Sequence, residues 1–417
     1  MNGKTSSDQD FTVAYYSGDR KTGSISTITR KAGKTTVTAL KNAQDTGLDK
    51  ALKPIFIGLT EDQQVILLDP KSKEITFQDD FPVDAFPAHI YSDPNSSRDL
   101  FMNDGEKETG NDTLNCGDQG SSISVVENIA SSSAKYLGTT CVGRGHHQAT
   151  FSYPSPQAPN VPNTIYISNL KDGTLSAIGN DPANAETYLK VITTINLCEP
   201  DKDDAEAGAV PNNAFPHGLV YSQVSGKVYN LNNGYGTIAV IDPVTNSIEE
   251  LIAFKGHSNL MISPDGRYII GRGADRKSDA DHVVAKLSVL DTATNEIVDK
   301  ADLADIYISK YYFNLEATRL YLTTGSSGSD EQKANIKSDA LLVFDLTALP
   351  ELKLINEVRL GSPSGSLDFL LVDGGDSLAF SSNSSQGELL VLNGSSGDII
   401  ERIAVNDGVA HSRTWVL

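Results

Sequence analysis

The sequence predicts an all-β protein, a single β-propeller, and three observations carry that expectation. A hairpin unit recurs along the chain: an apolar run, a turn with Gly or Asp, and a second run closing on Asp-Pro or Asp-Thr. The composition, with 34 Gly, 7% aromatic and 21% charged residues, suits loop-rich β structure better than helices. A length of 417 residues would ordinarily suggest two or three domains, but closed all-β architectures reach it as one unit.

Taken in order, residues 1–9 read as a disordered segment and 10–417 as the propeller. The clearest hairpin spans 227–243, with others at 55–70, 164–179 and 378–394. Copies with longer insertions start at Leu100, Tyr268 and Leu320, and a weaker one spans 11–29. This hairpin count gives eight blades, with seven as the alternative. Repeats of about 40 to 60 residues with several short strands indicate a propeller, because a four-stranded blade cannot bury both faces alone. The chain ends in Trp415-Val416-Leu417, a strand with no hairpin after it, and the hairpin near Phe11 has no strand before it. The C-terminal strand is therefore expected to complete the first blade and close the ring. The stretch 39–54 shows no clear innermost strand.

Six of the seven histidines share a local context, a loop followed by a short apolar strand. They are His89 in PAHIY, His146 and His147 in GHHQA, His217 in PHGLVY, His257 in GHSNL and His411 in AHSR. His282 lies outside the pattern and is expected at the surface. In a blade, the loop into the innermost strand and the loop between the second and third strands lie on one face. The long polar loops 103–120, 271–281, 325–339 and 198–214 are thereby expected to crowd the histidine side, where long loops usually carry function. Neutral imidazoles converging on one mouth predict a transition-metal site suited to zinc or copper. His89, His147 and His217 form the core set, from three successive blades. His146, His257 and His411 are the second tier. Neighbours on a strand face opposite ways, so one of His146 and His147 should point inward unless the backbone bulges.

A net charge of −20 argues against nucleic acid, which needs Lys and Arg on its phosphates. The run from Glu199 to Glu206 reads either as an acidic lip that concentrates cations or as a solvated loop. Arg144 and Arg272, each in Gly-Arg-Gly, could bind an anionic substrate or pair with nearby Asp. No apolar run approaches the roughly 18 residues of a membrane helix. No signal peptide opens the chain, and its polar start reads as the mature end of an exported, periplasmic protein. Among Cys116, Cys141 and Cys198, a bridge from Cys141 to either of the others is expected in an oxidising compartment. Three thiols, or a thiolate metal ligand, are the alternatives.

The segments FPHGLVYSQVSGKVYNLNNGYGTIAVIDPVTNSIEEL and HSNLMISPDGRYII resemble the YVTN-type propeller repeat. PAH at 87–89, GHH at 145–147 and Cys198-Glu199-Pro200 leading to PHG at 216–218 resemble the zinc-metallochaperone propellers of the AztD type. That resemblance implies zinc on His89, His147 and His217, with delivery to the solute-binding protein of an ABC importer. The chain departs from it in lacking a histidine-rich N-terminal segment and in carrying His257 and His411. The histidine pair and the spread over five blades are also similar to the copper propellers of nitrous-oxide reductase and thiocyanate dehydrogenase. This second resemblance implies a copper-dependent oxidoreductase with a multinuclear site. With no cupredoxin domain after Leu417, the expectation there is a smaller multicopper enzyme. A heme-binding propeller and a metal-free interaction propeller complete the readings.

Overall fold

The computed structural model describes residues 9–18, 23–39, 48–52, 56–60, 65–68, 75–78, 87–103, 116, 121–129, 133–202, 208–372, 377–409 and 411–417. For residues 23, 48–52, 56–60, 65–68, 75–78, 87, 88, 146 and 147 it covers the backbone alone. The N-terminal segment 1–9, apart from Gln9, lies outside the described residues, as does most of the loop 103–120.

The described residues form eight four-stranded sheets, the blades of a β-propeller. Contacts divide the chain into two compact units, Met1–Gln78 with Ala274–Ala285 and Ala301–Leu417, and Asp79–Gly273 with Lys286–Lys300. In the first unit, β1 (Phe11–Gly18), β2 (Gly23–Lys31) and β3 (Lys34–Ala39) are completed by β32 (His411–Val416). The next blade is β4 (Leu48–Leu52), β5 (Phe56–Thr60), β6 (Val65–Leu68) and β7 (Ile75–Gln78).

In the second unit, β8 (Pro87–Ser92), β9 (Arg98–Asn103), β10 (Ser121–Glu127) and β11 (Lys135–Val142) form one blade. They are followed by β12 (His146–Ser152), β13 (Thr164–Asn169), β14 (Thr174–Gly179) and β15 (Val191–Asn196). Then come β16 (Pro216–Ser222), β17 (Lys227–Asn232), β18 (Thr237–Asp242) and β19 (Ser247–Ala253). The blade β20 (Asn259–Ile262), β21 (Tyr268–Asp275), β22 (Val284–Asp291) and β23 (Glu296–Ala304) carries the chain back to the first unit. There lie β24 (Ile308–Phe313), β25 (Arg319–Thr324), β26 (Ala340–Asp345) and β27 (Lys353–Arg359). The remaining blade is β28 (Ser364–Leu371), β29 (Ser377–Asn383), β30 (Glu388–Asn393) and β31 (Ile399–Ala404).

The C-terminal strand completes the first blade as expected, with His411 opposite Gly18 and Val416 opposite Val13. The missing inner strand of 39–54 is β4, which pairs with β5. Its sequence, LDKAL, is short and half polar, so no apolar run announces it.

The core lies between blades. On β16, Leu219 and Tyr221 pack with Tyr166 and Leu175 of the preceding blade. Val220, one residue away, packs with Leu260 and Ile269 of the following blade. Alternation along a strand thus gives β16 two buried faces, and among the described side chains the second and third strands of the blades are mostly buried. The outermost strands alternate or are largely exposed, as in β23, and β15, β19, β27 and β31 each carry a bulge that breaks an otherwise exposed edge. Tyrosine hydroxyls tie blade to blade. Tyr166 Oη donates to Asn246 Oδ1 at 2.6 Å, and Tyr229 Oη reaches Asn295 Oδ1 at 3.0 Å. Both asparagines sit in the left-handed turns, φ 53° and 58°, between the third and fourth strands of the next blade. No helix among the described residues is long and apolar enough to cross a membrane.

Candidate functional site

Strand register fixes where each histidine stands. In β16, Pro216 pairs with Asn232 and Leu219 with Asn230, so His217 and Gly218 together oppose Leu231 in a bulge. β12 repeats the arrangement: His146 pairs with Asn169, Ala149 with Ile167, and His147 and Gln148 occupy the bulge. β28 does the same with Ser364, Gly365, Ser366 and Leu367. In β8, Pro87 pairs with Asn103, but His89 already pairs with Met102 and Ile90 with Phe101.

Counted back from the anchors Ile90, Ala149 and Leu219, His147 and His217 hold the same position. His89 stands one residue later and His146 one residue earlier. On β20, where Leu260 pairs with Gly271, the same count puts Ser258 at the place of His217 and His257 one residue before it. The five histidines placed this way fall on three successive positions: His147 and His217 share one, His146 and His257 share the one before it, and His89 stands alone on the one after it. The strands of His147 and His217 are neighbours within the second unit. The rings of His146 and His147 lie outside the described side chains.

The bulge decides what His217 meets. Plain alternation would send it with Leu219 and Tyr221 toward the β12 blade; the extra residue re-aims it. Its ring instead meets the backbone of Ser258, and Nδ1 is shielded from solvent. Gly218 is required at the second bulge position: its φ is +134°, and a Cβ would lie 3.0 Å from the Leu260 nitrogen. Burial holds the His217 ring below its ordinary pKa, and the Arg272 charge adds to the lowering, against the Ser258 and His217 backbone groups. The ring is thus neutral at pH 7, the state a metal ligand requires. The same Arg272 charge would disfavour a bare cation at this ring.

The second-tier residues differ from it. His257 is 8% exposed and stacks on Phe254 with ring centroids 4.2 Å apart. Burial pushes it down to about 4, the nearby carbonyls of Phe254 and Lys255 oppose this, and Lys286 and Lys300 add to it. Neither ring nitrogen makes a hydrogen bond of good geometry. This packing explains Gly271 and Gly273, where side chains would collide with Phe254 and with the Gly256–His257 backbone. His411 is exposed and belongs to the first unit. His89 is half-buried, its ring 6.3 Å from that of Tyr91 two residues on. His282 is exposed, as expected, and its Nδ1 lies 2.7 Å from Asp305 Oδ1.

Several further readings resolve at atomic detail. Cys116 and Cys141 form a disulfide, with Cα atoms 5.3 Å apart, and Cys198 stays outside it. Arg144 pairs with Asp172, its Nε 2.6 Å from Oδ1 and its backbone nitrogen 2.8 Å from Oδ2. The acidic lip changes character: Glu199 is buried, accepts from Asn232 Nδ2 and Thr237 Oγ1, and pairs with Lys202 at 2.7 Å. It fastens the loop ahead of β16 to β17 and β18. Residues 203–207 lie outside the described residues.

Two groups of residues escaped the sequence reading. Asn103, Asn169, Asn232 and Asn383 end the second strands of four blades and are fully or almost fully buried beside the inner-strand bulges. Asn169 Nδ2, for example, donates to Thr174 Oγ1 at 3.0 Å and Ser176 Oγ at 2.9 Å. The recurrent Asn at the end of an apolar run, in FMN, ISN, NLN and SSN, was their signal. The second is Gln148, whose carboxamide joins three strands: Oε1 accepts from the Leu219 nitrogen of β16 at 2.8 Å, and Nε2 donates to Asn259 Oδ1 of β20 at 3.0 Å. Among the described residues, no group of three or more His, Cys, Asp or Glu side chains is arranged to hold a metal.

Neither family models nor curated proteins match the chain. Solved structures do. Dihydro-heme d1 dehydrogenase NirN in complex with DHE is 13% identical with a TM-score of 0.56, over 85% of this chain and 64% of that one. A chain of a mitotic checkpoint complex is 10% identical with a TM-score of 0.52, over 83% and 89%. Hydrazine synthase of Kuenenia stuttgartiensis is 13% identical with a TM-score of 0.49, over 78% and 88%. At such identities the likeness concerns the fold alone, and proteins this different on one architecture mean that function must be read from the site. The chain is a β-propeller, and the matches assign it to no family within that fold.

Proposed function

We propose that this chain is an exported metal-binding propeller that carries a transition-metal cation, zinc before copper, on imidazoles at the bulged ends of neighbouring inner strands, without catalysis. The observation that carries the reading is the shared register position of His147 and His217 on the adjoining strands β12 and β16. Neutral imidazole suits zinc, and the buried His217 ring is held in that state. His89, on the strand before, is the third candidate. A site with few protein ligands leaves coordination positions for water or for donors of a receiving protein, which suits a cargo that must leave. The resemblance to AztD-type metallochaperones supports zinc as cargo and the solute-binding protein of an ABC importer as recipient. The disulfide supports an oxidising compartment, in keeping with export to the periplasm.

The test is elemental analysis of protein purified without chelator or added metal, combined with absorption and EPR spectra. About one zinc per chain and silent spectra support carriage. Two or more coppers with d–d or EPR signals favour the oxidoreductase, and no metal even on titration leaves an interaction propeller. His217→Ala should lower zinc affinity at least about tenfold, roughly 1.4 kcal/mol. His282→Ala should leave it unchanged, and equal losses would refute the ligand placement.

A further inference from the structure

Gln148 stands in the second bulge position of β12, immediately after His147. Its carboxamide is used at both ends. Oε1 takes the Leu219 N–H two residues beyond His217, and Nε2 reaches Asn259 Oδ1 next to Ser258, whose backbone meets the His217 ring. Asn259 Oδ1 is itself fixed by its own strand, accepting from the Leu260 nitrogen at 2.8 Å. Gln148 is anchored in turn, because its backbone nitrogen donates to Ser168 Oγ at 2.9 Å. The bulge carrying His147 is therefore locked to the bulge carrying His217 through one side chain, and both are referred to β20.

The same position in β28 holds Ser366, which makes a shorter version of the link. Its Oγ accepts from the Thr414 nitrogen of β32 at 2.7 Å, and no histidine precedes it. Joining successive inner strands is thus what this position does on two blades, those of β12 and β28. Reaching across to a third strand is what Gln148 adds, on the blade whose His147 shares a register position with His217 of the next blade.

We propose that Gln148 is the positioning residue of the metal site, setting the separation of the His147 and His217 backbones so that both imidazoles reach one ion. The inference rests on the metal-binding reading and deepens it. A ligand pair held by hydrogen bonds from a neutral amide keeps its spacing whether or not the ion is present, and a site formed in advance avoids the ordering cost of binding. The amide also adds no charge, so it positions the ligands without competing for the cation.

The experiment compares wild type, Gln148→Leu, Gln148→Glu and Ser366→Ala. Zinc affinity is read by chelator competition, imidazoles per zinc by X-ray absorption, and thermal melting in parallel. Gln148→Leu should lose about tenfold or more in zinc affinity and fall from two or more imidazoles per zinc to one. Gln148→Glu keeps the acceptor for Leu219 and loses the donor to Asn259, so its loss should be smaller, about threefold; it also serves if the leucine variant does not fold. Ser366→Ala should lower the melting temperature with zinc affinity unchanged. Wild-type affinity and imidazole count in both Gln148 variants, with only melting altered, would overturn the proposal. Absence of zinc binding by wild type would instead overturn the metal reading on which it rests.

Discussion

His257 has a calculable effect on stability. Its ring is buried against Phe254, under Gly271 and within reach of the Lys286 and Lys300 charges, and this surrounding pushes its pKa down to about 4. In the unfolded chain the ordinary value of about 6.5 returns. Below 6.5 the unfolded state therefore binds a proton that the folded state refuses, so the full stability is present above that pH and is lost as pH falls toward 4. At about 1.4 kcal/mol per pH unit, the interval of roughly 2.5 units corresponds to a loss on the order of 3 kcal/mol. That is a large share of a typical folding free energy of about 5–15 kcal/mol. His257→Leu removes the titrating group while filling similar space, and it breaks no well-formed hydrogen bond, so it should be near neutral at pH 7. Urea unfolding of both proteins at pH 7 and pH 4.5 tests this. The wild type should lose about 2 kcal/mol more than the variant over that interval. His217, also lowered, titrates in both proteins and cancels in the comparison. Equal losses would falsify the assignment of a buried, proton-refusing imidazole to this position.

Other outcomes follow from the packing and charge. Tyr229→Phe deletes a hydroxyl that reaches Ser225, Thr292 and Asn295, and should cost about 1–2 kcal/mol in urea unfolding; less than half of that would remove the interblade latch from the stability argument. The Asp305 carboxylate raises the pKa of His282, so Asp305→Asn should bring the ring back toward its ordinary value in an NMR titration, and an unmoved midpoint would contradict the pairing. Deleting residues 411–417 removes β32 and leaves β1 without its partner from Val13 to Gly18. The truncated chain should expose apolar surface to a fluorescent probe, and addition of the 411–417 peptide should reverse it. An unchanged signal would count against closure by that strand.

The fold was largely legible because it is written in repeats. Each hairpin carries its own alternation and turn residues, and an unpaired strand at either end of the count implied closure. β4 escaped because LDKAL presents no apolar run. The site was legible at a coarser grain. The histidine bias pointed to the inner-strand ends, but spacing from the nearest Pro or Gly did not give the register. His89, His217 and His257 look alike in sequence and hold three different positions, because the regular strand pairing begins at a different distance after each histidine. The Gly of PHG was the local sign of the β16 bulge. Burial was invisible for the same reason: Glu199 reads as one more acid in a polar run, and only the buried ends of β17 and β18 turn it inward. Gln148 had no motif at all, since its role depends on two strands that begin about 70 and 110 residues later.

The pairing of β32 with β1 also bears on how the protein is made. The first blade acquires β1, β2 and β3 early, while its inner strand emerges about 370 residues after β3 ends. At about 5–20 residues per second, β1 waits roughly 20 to 75 seconds for that partner. Throughout that interval Tyr15, Tyr16 and the rest of a strand destined for near-complete burial have no inner neighbour. A nascent chain in this condition has reason to stay unfolded or chaperoned until synthesis passes Trp415.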